Sequence, residues 1–353
     1  MKNSLKYVGM DVHKEMTVIV VVDAAGKQLS HSVVQTSSTT IVSSIRAIDG
    51  SIHLTFEEGI HSAWLYDLLK PYVAHLIVCN ANKINRPAGQ NKSDDIDALN
   101  LANQLRLGEL KAVYHGQHSL RTLQELAHAY QYIVCDCTRI KNRITALFRA
   151  RAIAYRGDAH FRAENRNQWL AKLEPAVQLR TQLLFAQLDA LLPLRAQAEK
   201  ALVKEARKHE AFSLISSIPY LGDIRTALIL SVMLTPFRFR SKRPLWCYCG
   251  FAVVTSTSAD YKLVNGIIIK TNKHSFTRGL NHNFNRTLKN VFKSAANAAN
   301  SGVFKQYYDA LLAKGMKDNL ARLSLARKIA SITLTLWKKG ECFNPDKFLM
   351  DTK

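Results

Sequence analysis

Negative charge is scarce in this sequence: 27 Asp and Glu stand against 49 Lys and Arg, a net charge of +22. A balance so far to one side suits a partner rich in phosphates, although a membrane surface could use the same charge. Long apolar runs are missing too. No stretch of about 18 apolar residues occurs, which argues against a membrane-spanning helix. The opening Met1-Lys2-Asn3-Ser4-Leu5-Lys6 leads straight into a strand-like run, without an apolar signal core or cleavage site, so a soluble cytoplasmic protein with no membrane partner is expected. Cysteine is sparse, with six residues that include two C-x-C pairs and no C-x-x-C. Neither a zinc site nor a disulfide framework is indicated, and the thiols read as reduced and mostly buried. Sizeable repeats and low-complexity tracts are absent as well. What is present is 47% apolar residues over 353 positions, enough for the cores of two or three domains and too many for large-scale disorder.

Against that basic background, Ser93-Asp94-Asp95-Ile96-Asp97-Ala98-Leu99 places three carboxylates in seven residues. The stretch reads as the start of a helix, with Ser93 as N-cap and Ile96, Leu99, Leu101, Ala102 and Leu105 as an apolar stripe. Asp94 and Asp97 then share one face, and Asp95 points elsewhere. Acids in a first helical turn have an ordinary explanation, since they cap free amides and meet the positive end of the helix dipole. Two more acids upstream favour another.

The segment Lys6-Tyr7-Val8-Gly9-Met10-Asp11 reads as a short strand that ends on a carboxylate. Met16–Val22 and Leu29–Val34 complete a three-strand meander across the turn Asp23-Ala24-Ala25-Gly26. A helix over about Thr39–Ile48, a strand Ile52–Phe56 ending on Glu57-Glu58-Gly59, a helix Trp64–Leu69 and a strand Ala74–Cys79 follow. Strands first, then strand and helix alternating, predict a mixed sheet flanked by helices. In such a sheet Asp11, Glu57, Asp94 and Asp97 can converge at one edge. Four carboxylates so close repel one another unless cations neutralise them. Two hard divalent ions about 4 Å apart would polarise a phosphodiester and stabilise both attacking and leaving oxygens. Oxygen-only ligands point to Mg²⁺, with Mn²⁺ as the substitute.

The order Val8-Gly9-Met10-Asp11, Phe56-Glu57-Glu58-Gly59, then Lys92-Ser93-Asp94-Asp95-Ile96-Asp97-Ala98 resembles the DEDD transposases of bacterial insertion sequences. The resemblance implies a fold of α/β plus all-α class, in which a ribonuclease H-like, RuvC-like domain precedes a long helical hairpin and a mainly helical transposase domain. Asp11, Glu57, Asp94 and Asp97 match the family's metal-binding acids. Glu58 stands where the family has a small residue, and Asp95-Ile96 replace a basic pair.

Beyond the acids, Leu120, Leu123, Leu126, Ala127, Tyr130, Ile133, Val134, Cys137, Ile140, Ile144 and Leu147 recur at helical spacing, with Arg139, Lys141, Arg143, Arg149 and Arg151 on other faces. A second long pattern runs from Val177 to about Val203, with a bend expected at Pro193. Two long antiparallel helices make a hairpin or coiled coil, so a homo-oligomer, dimer or tetramer, is expected. The segment Leu214 to Ala227, with Pro219-Tyr220-Leu221-Gly222 at its centre, has the outline of a helix-hairpin-helix, in which a tight loop presents amides to a phosphate, with Tyr220 where the first glycine belongs. Phe237-Arg238-Phe239-Arg240-Ser241-Lys242-Arg243 interleaves aromatics and cations as nucleic-acid contacts do. Lys270, Lys273, Arg278 and Arg286 continue that basic set.

The run Tyr248 to Tyr261 resembles the family's second catalytic motif, which by position makes Ser258 the nucleophile and Ser256 the fallback, with Ala259 in place of the commoner glycine. A serine hydroxyl that attacks a phosphodiester conserves bond energy in a phosphoserine and lets strands be exchanged rather than hydrolysed. The resemblance spans about residues 5 to 345. It divides the chain into a metal-binding domain (1–112), a long-helix region (113–210) and a transposase domain (211–345), with acids and serine in different domains. It further implies a nucleoid-associated bacterial recombinase acting on element ends and target DNA, guided by a structured noncoding RNA. Two other classes remain: a metal-dependent Holliday-junction-type nuclease without serine chemistry, and a non-catalytic nucleic-acid binder.

Overall fold

The computed structural model describes residues 4–80, 93–115, 120–154, 157–256, 261–264, 267–270 and 276–350. They fold as two compact units, Met1–His118 and Ser119–Lys353. The first unit contains β1 (Leu5–Val12), β2 (Met16–Val22), β3 (Gln28–Gln35), α1 (Ser38–Arg46), β4 (Ser51–Glu57), α2 (Ser62–Leu69), β5 (His75–Cys79) and α3 (Asp94–Leu107). Its sheet runs β3-β2-β1-β4-β5. The β1–β2 and β2–β3 pairs are antiparallel, whereas β1–β4 and β4–β5 are parallel, so the mixed sheet expected from the strand pattern is present.

Strand alternation assigns the two faces. Val8, Met10, Leu54 and Phe56 point to one side, where Ile41 and Ile45 of α1 and Leu65 and Leu69 of α2 cover them. On the other side Val18, Val20 and Val22 pack against Ala98 and Ala102 of α3. β2 is buried on both faces from Thr17 to Val22, which explains why its sequence is apolar throughout rather than alternating. Gly9 sits at the contact between β1 and α3. A Cβ built there would lie 2.1 Å from the Ala98 carbonyl oxygen and 2.5 Å from the Ala102 amide nitrogen. Only a residue without a side chain lets the helix backbone rest so close on the strand.

α3 begins where Ser93 places it. The Ser93 side chain accepts from the Ile96 amide at 3.3 Å, and Gly108 closes the helix in the left-handed conformation at φ 71°.

The second unit opens with α4 (Arg121–Arg149), the short α5 (Arg166–Leu170) and α6 (Pro175–Ala206). The C-terminal part of α4 (Ile140, Ile144, Leu147) packs with the N-terminal part of α6 (Leu184, Phe185, Leu188). Leu123 and Ala127 at the other end of α4 share a core with Leu202 and Ala206. The two helices are therefore antiparallel. α6 continues past Pro193 without ending there.

Next come α7 (Ala211–Ser216), α8 (Asp223–Met233), α9 (Lys242–Tyr248), β6 (Val253–Ser256), β7 (Tyr261–Val264), β8 (Ile267–Lys270), β9 (Phe276–Leu280), α10 (Arg286–Ala298), α11 (Gly302–Ala313), α12 (Asp318–Lys339) and α13 (Pro345–Met350). Leu325, Ile329 and Leu334 of α12 lie in the core of this unit with Leu288 and Phe292 of α10. The strands β6 to β9 and the helix α10 are additions to the sequence reading, which treats 248–289 as catalytic turn and basic run.

Replacement of Gly9 by Ala should lower the stability of the chain by roughly 1–3 kcal/mol, because the clash is with backbone that cannot rotate aside. Urea denaturation followed by circular dichroism measures this; an unchanged midpoint would mean that α3 does not rest on β1 as described.

Candidate functional site

Asp11 is the penultimate residue of β1 and faces the same side as Gly9, toward α3. His13 stands in the turn that follows. Its Nε2 lies 3.2 Å from Asp11 Oδ2 and 3.4 Å from Asp94 Oδ1. One ligand atom from each of Asp11, His13 and Asp94 lies within 4.8 Å of the others. Asp95, one residue on, turns away to His31 of β3 at 2.8 Å. The first turn of α3 thus splits its acids as a helical wheel requires, one toward β1 and one toward β3.

Burial raises the Asp11 carboxyl above its ordinary range, the nearby His13 opposes this, and the negative charges of Asp94 and Asp97 raise it further. Asp97 is therefore part of the same electrostatic neighbourhood, although it is not within the tight three-residue group. Glu57 ends β4. Its predecessor Phe56 pairs with Met10, so Glu57 occupies the register position beside Asp11 on the α3 face. The turn beyond it is held by Ser62, whose Oγ accepts from the Gly59 amide at 2.6 Å and donates to the Glu57 carbonyl at 3.4 Å. Glu58 is exposed, whereas Glu57 is half-buried. Behind it burial pushes the Cys79 thiol up to about 11, and the Glu57 charge adds to that shift.

Carboxylate oxygens with one imidazole nitrogen form a donor set for a divalent cation of Mg²⁺ or Mn²⁺ type, and imidazole suits Mn²⁺ better than Mg²⁺. A bound cation would offset both the loss of hydration at Asp11 and the repulsion from Asp94 and Asp97. His13 is absent from the candidate set read from the sequence, where it counts only as a turn residue. The Asp-x-His spacing across the end of a strand is the signal that could have identified it.

The basic stretch after α8 divides on folding. Arg238 turns inward: its guanidinium stacks 4.5 Å from the Tyr248 ring centroid and donates to the Val232 carbonyl at 3.2 Å. Phe239 is core, at 5% exposure, and Trp246 donates its indole N–H to the Arg327 carbonyl. Arg240, Lys242 and Arg243 are exposed, as is Phe237. Of the aromatics read as stacking partners, Phe239 is therefore occupied in packing. Arg286 is exposed at the start of α10. Ser258 and Lys273 lie outside the described residues. Ser256, Lys270 and Arg278 fall on β6, β8 and β9 with side chains that are likewise not described.

In the hairpin between α7 and α8, Tyr220 adopts φ 66°, the left-handed conformation that a glycine would supply there. Its hydroxyl is tied at both ends, donating to the Ser301 carbonyl at 2.9 Å and accepting from the Ser301 amide at 3.0 Å.

A five-stranded mixed sheet with helices on both faces, and an acidic group at the junction of β1 and α3, defines an α/β domain suited to divalent metal. Residues 8–151, which include all four acids, match the model of the IS110-type DEDD transposases, described as a transposase family. The match covers the segment that carries the acidic motifs and supports a transposase function in general. A comparison with curated proteins finds no match. No helix among the described residues is long and apolar enough to cross a membrane.

The raised Asp11 carboxyl sets a direction for pH. A group that holds its proton more tightly when folded contributes its full stabilisation below the unfolded value of 3.8, and loses it as pH rises through the raised folded value. At neutral pH without metal, Asp11→Asn should therefore unfold at a higher urea concentration than the native chain, with the difference gone below about pH 4. Mn²⁺ at a hundredfold excess over its Kd should stabilise the native chain by about 2.7 kcal/mol. Asp11→Asn and Asp94→Asn should lose most of that gain and His13→Ala part of it; equal Mn²⁺ stabilisation of all four proteins would exclude this site.

Proposed function

We propose that the chain is an insertion-sequence transposase and recombinase that cleaves and exchanges DNA strands through a phosphoserine intermediate. The observation that carries the reading is the close group Asp11, His13 and Asp94 within the segment that matches the transposase family. On this reading residues 1–112 form a ribonuclease H-like domain in which Asp11, Glu57, Asp94 and Asp97 hold Mg²⁺ or Mn²⁺. Divalent cations there supply charge neutralisation and polarisation of the scissile phosphate. Asp11, half-buried and unfavourably charged alone, is the acid most in need of a cation, and His13 orients it.

Residues 113–210 serve self-association, and residues 211–345 carry the nucleophile Ser258. Its Oγ attacks phosphorus, the proton leaves to a base or solvent, and the 3′ or 5′ oxygen departs as the leaving group. A second strand's hydroxyl then reverses the step and frees the serine. The exposed cations Arg240, Lys242, Arg243 and Arg286 are suited to holding phosphates of element and target DNA and of a noncoding guide RNA.

The test incubates the full chain, with its co-purified RNA, with DNA bearing the element ends, and traps adducts under denaturing conditions. The native protein should leave a DNA–peptide adduct that maps to Ser258. Ser258→Ala should lose the adduct and at least about 10³-fold of strand joining. Asp11→Asn and Asp97→Asn should lose both. A Ser258→Ala protein that still cuts and joins would establish the metal-only nuclease class instead. Full activity in the two Asp variants would leave only a binding protein. Ribonuclease treatment should abolish target choice; unchanged targeting would remove the guide RNA from the reading.

A further inference from the structure

The second unit contains a cavity of about 580 Å³ that α9, α12 and the segment 341–348 enclose, outside the residues that match the transposase family. That volume lies in the range of sites for nucleotide-sized ligands. Five cations line it, Lys242, Arg327, Lys328, Lys339 and Lys347, against the single carboxylate of Glu341. Glu341 is already engaged by Lys347 at 3.5 Å. Lys242, Arg327, Lys328 and Lys339 have no carboxylate partner among the described residues.

Lys339, in the last turn of α12, is explained by the negative end of that helix dipole. The other three meet rings and no carboxylate: Lys242 and Arg327 lie 5.6 and 5.9 Å from the Trp246 ring centroid, and Lys328 lies 5.2 Å from that of Phe348. Arg327 is half-buried, and its guanidinium donates through Nε to the Phe251 carbonyl at 2.8 Å, which orients it without neutralising it. A cation withdrawn from water with no counter-charge is unfavourable unless an anion joins it. The remaining wall is aromatic. Trp246 is fixed by its indole N–H, which donates to the Arg327 carbonyl at 3.0 Å and to Ser331 Oγ at 3.1 Å, and Tyr307 and Phe343, both half-buried, line the same cavity.

We propose that this cavity takes one unpaired nucleotide of a single-stranded nucleic acid, with its phosphate on Lys242, Arg327 and Lys328 and its base against Trp246 and Phe343. Cations beside aromatic rings are the means by which single strands are held without base pairing. A duplex, whose bases are stacked, offers no ring to insert.

Cys342, an exposed free thiol that lines the cavity, reports occupancy. The full chain is saturated, as judged by fluorescence anisotropy, with DNA or RNA single strands of about eight nucleotides. EDTA is present throughout, so that the metal centre plays no part. Alkylation by N-ethylmaleimide is followed by mass spectrometry at Cys342 and, as reference, at the exposed Cys135. Protection of Cys342 alone, by either strand, is the expected result. Protection by DNA only or RNA only identifies the source of the nucleotide. A matching duplex and inorganic phosphate should not protect, and a mononucleotide should do so at higher concentration.

Lys242→Glu with Lys328→Glu should weaken single-strand binding about tenfold more than Lys293→Glu with Lys314→Glu, which changes the charge equally elsewhere. Unprotected Cys342 at saturation, equal weakening by the two pairs, or equal protection by phosphate or duplex would each overturn the proposal. None of these outcomes bears on Ser258 or the acids.

Discussion

The close seat of α3 on β1 is the constraint on which the arrangement of the first unit depends. Gly9 lets the helix backbone approach the strand to a distance that no side chain would tolerate, and Ala98 and Ala102 keep the helix side of the contact small. Because Gly9 and Asp11 share a face of β1, the same contact carries the N-terminus of α3 to the strand end where Asp11 stands. The consequence is electrostatic. Asp94 and Asp97 are brought near a carboxylate that is already losing hydration, and the repulsion they add is unfavourable for folding without a neutralising partner. Packing and charge thus oppose one another at this point, a pattern characteristic of sites arranged for ligands rather than for stability.

Histidine has a part in that balance. His13 lies within hydrogen-bond reach of Asp11 and near Asp94, so it lessens their repulsion in the absence of metal and offers a nitrogen ligand in its presence. Glu57 follows Phe56, which pairs with Met10, so parallel pairing of β4 with β1 puts it at the register position beside Asp11, and the Ser62-locked turn follows immediately. Three elements therefore supply the acids, and each is positioned by an ordinary structural cause: strand register, a helix cap and a glycine contact.

The second unit handles its excess of cations in two ways. Some are absorbed into structure, as Arg166 is by Asp189 and Arg238 is by Tyr248 and the Val232 carbonyl. Others, Lys242, Arg327, Lys328 and Lys339 around Trp246, have no carboxylate partner among the described residues. The second group accounts for the suitability of this unit for polyanions, since the net charge alone does not distinguish solvated lysines from lysines gathered at one place.

Much of the first unit was legible in the sequence because its signals are local. A β-branched run marks β2, short apolar runs that end on an acid mark β1 and β4, and Ser93 ahead of an apolar stripe marks α3 to the residue. The antiparallel long helices follow from apolar spacing in the same way. The spacing of Asp94, Asp95 and Asp97 was enough to separate the one that faces His31 from the others. What periodicity could not supply were contacts between residues far apart in the chain. Whether a cation in a basic run ends on a ring, as Arg238 does, or lines a cavity, as Arg327 does, depends on which aromatic or carbonyl the fold brings to it. Tyr220 shows the same limit, since its left-handed backbone is held by Ser301, 81 residues away. Composition and spacing determined the elements of the first unit, the two long helices, the candidate acids and the basic character of the chain; tertiary packing alone decided that His13 joins Asp11 and Asp94 and that a cluster of cations surrounds Trp246, because charge and hydrogen bonding act over a few ångströms in space, not along the sequence.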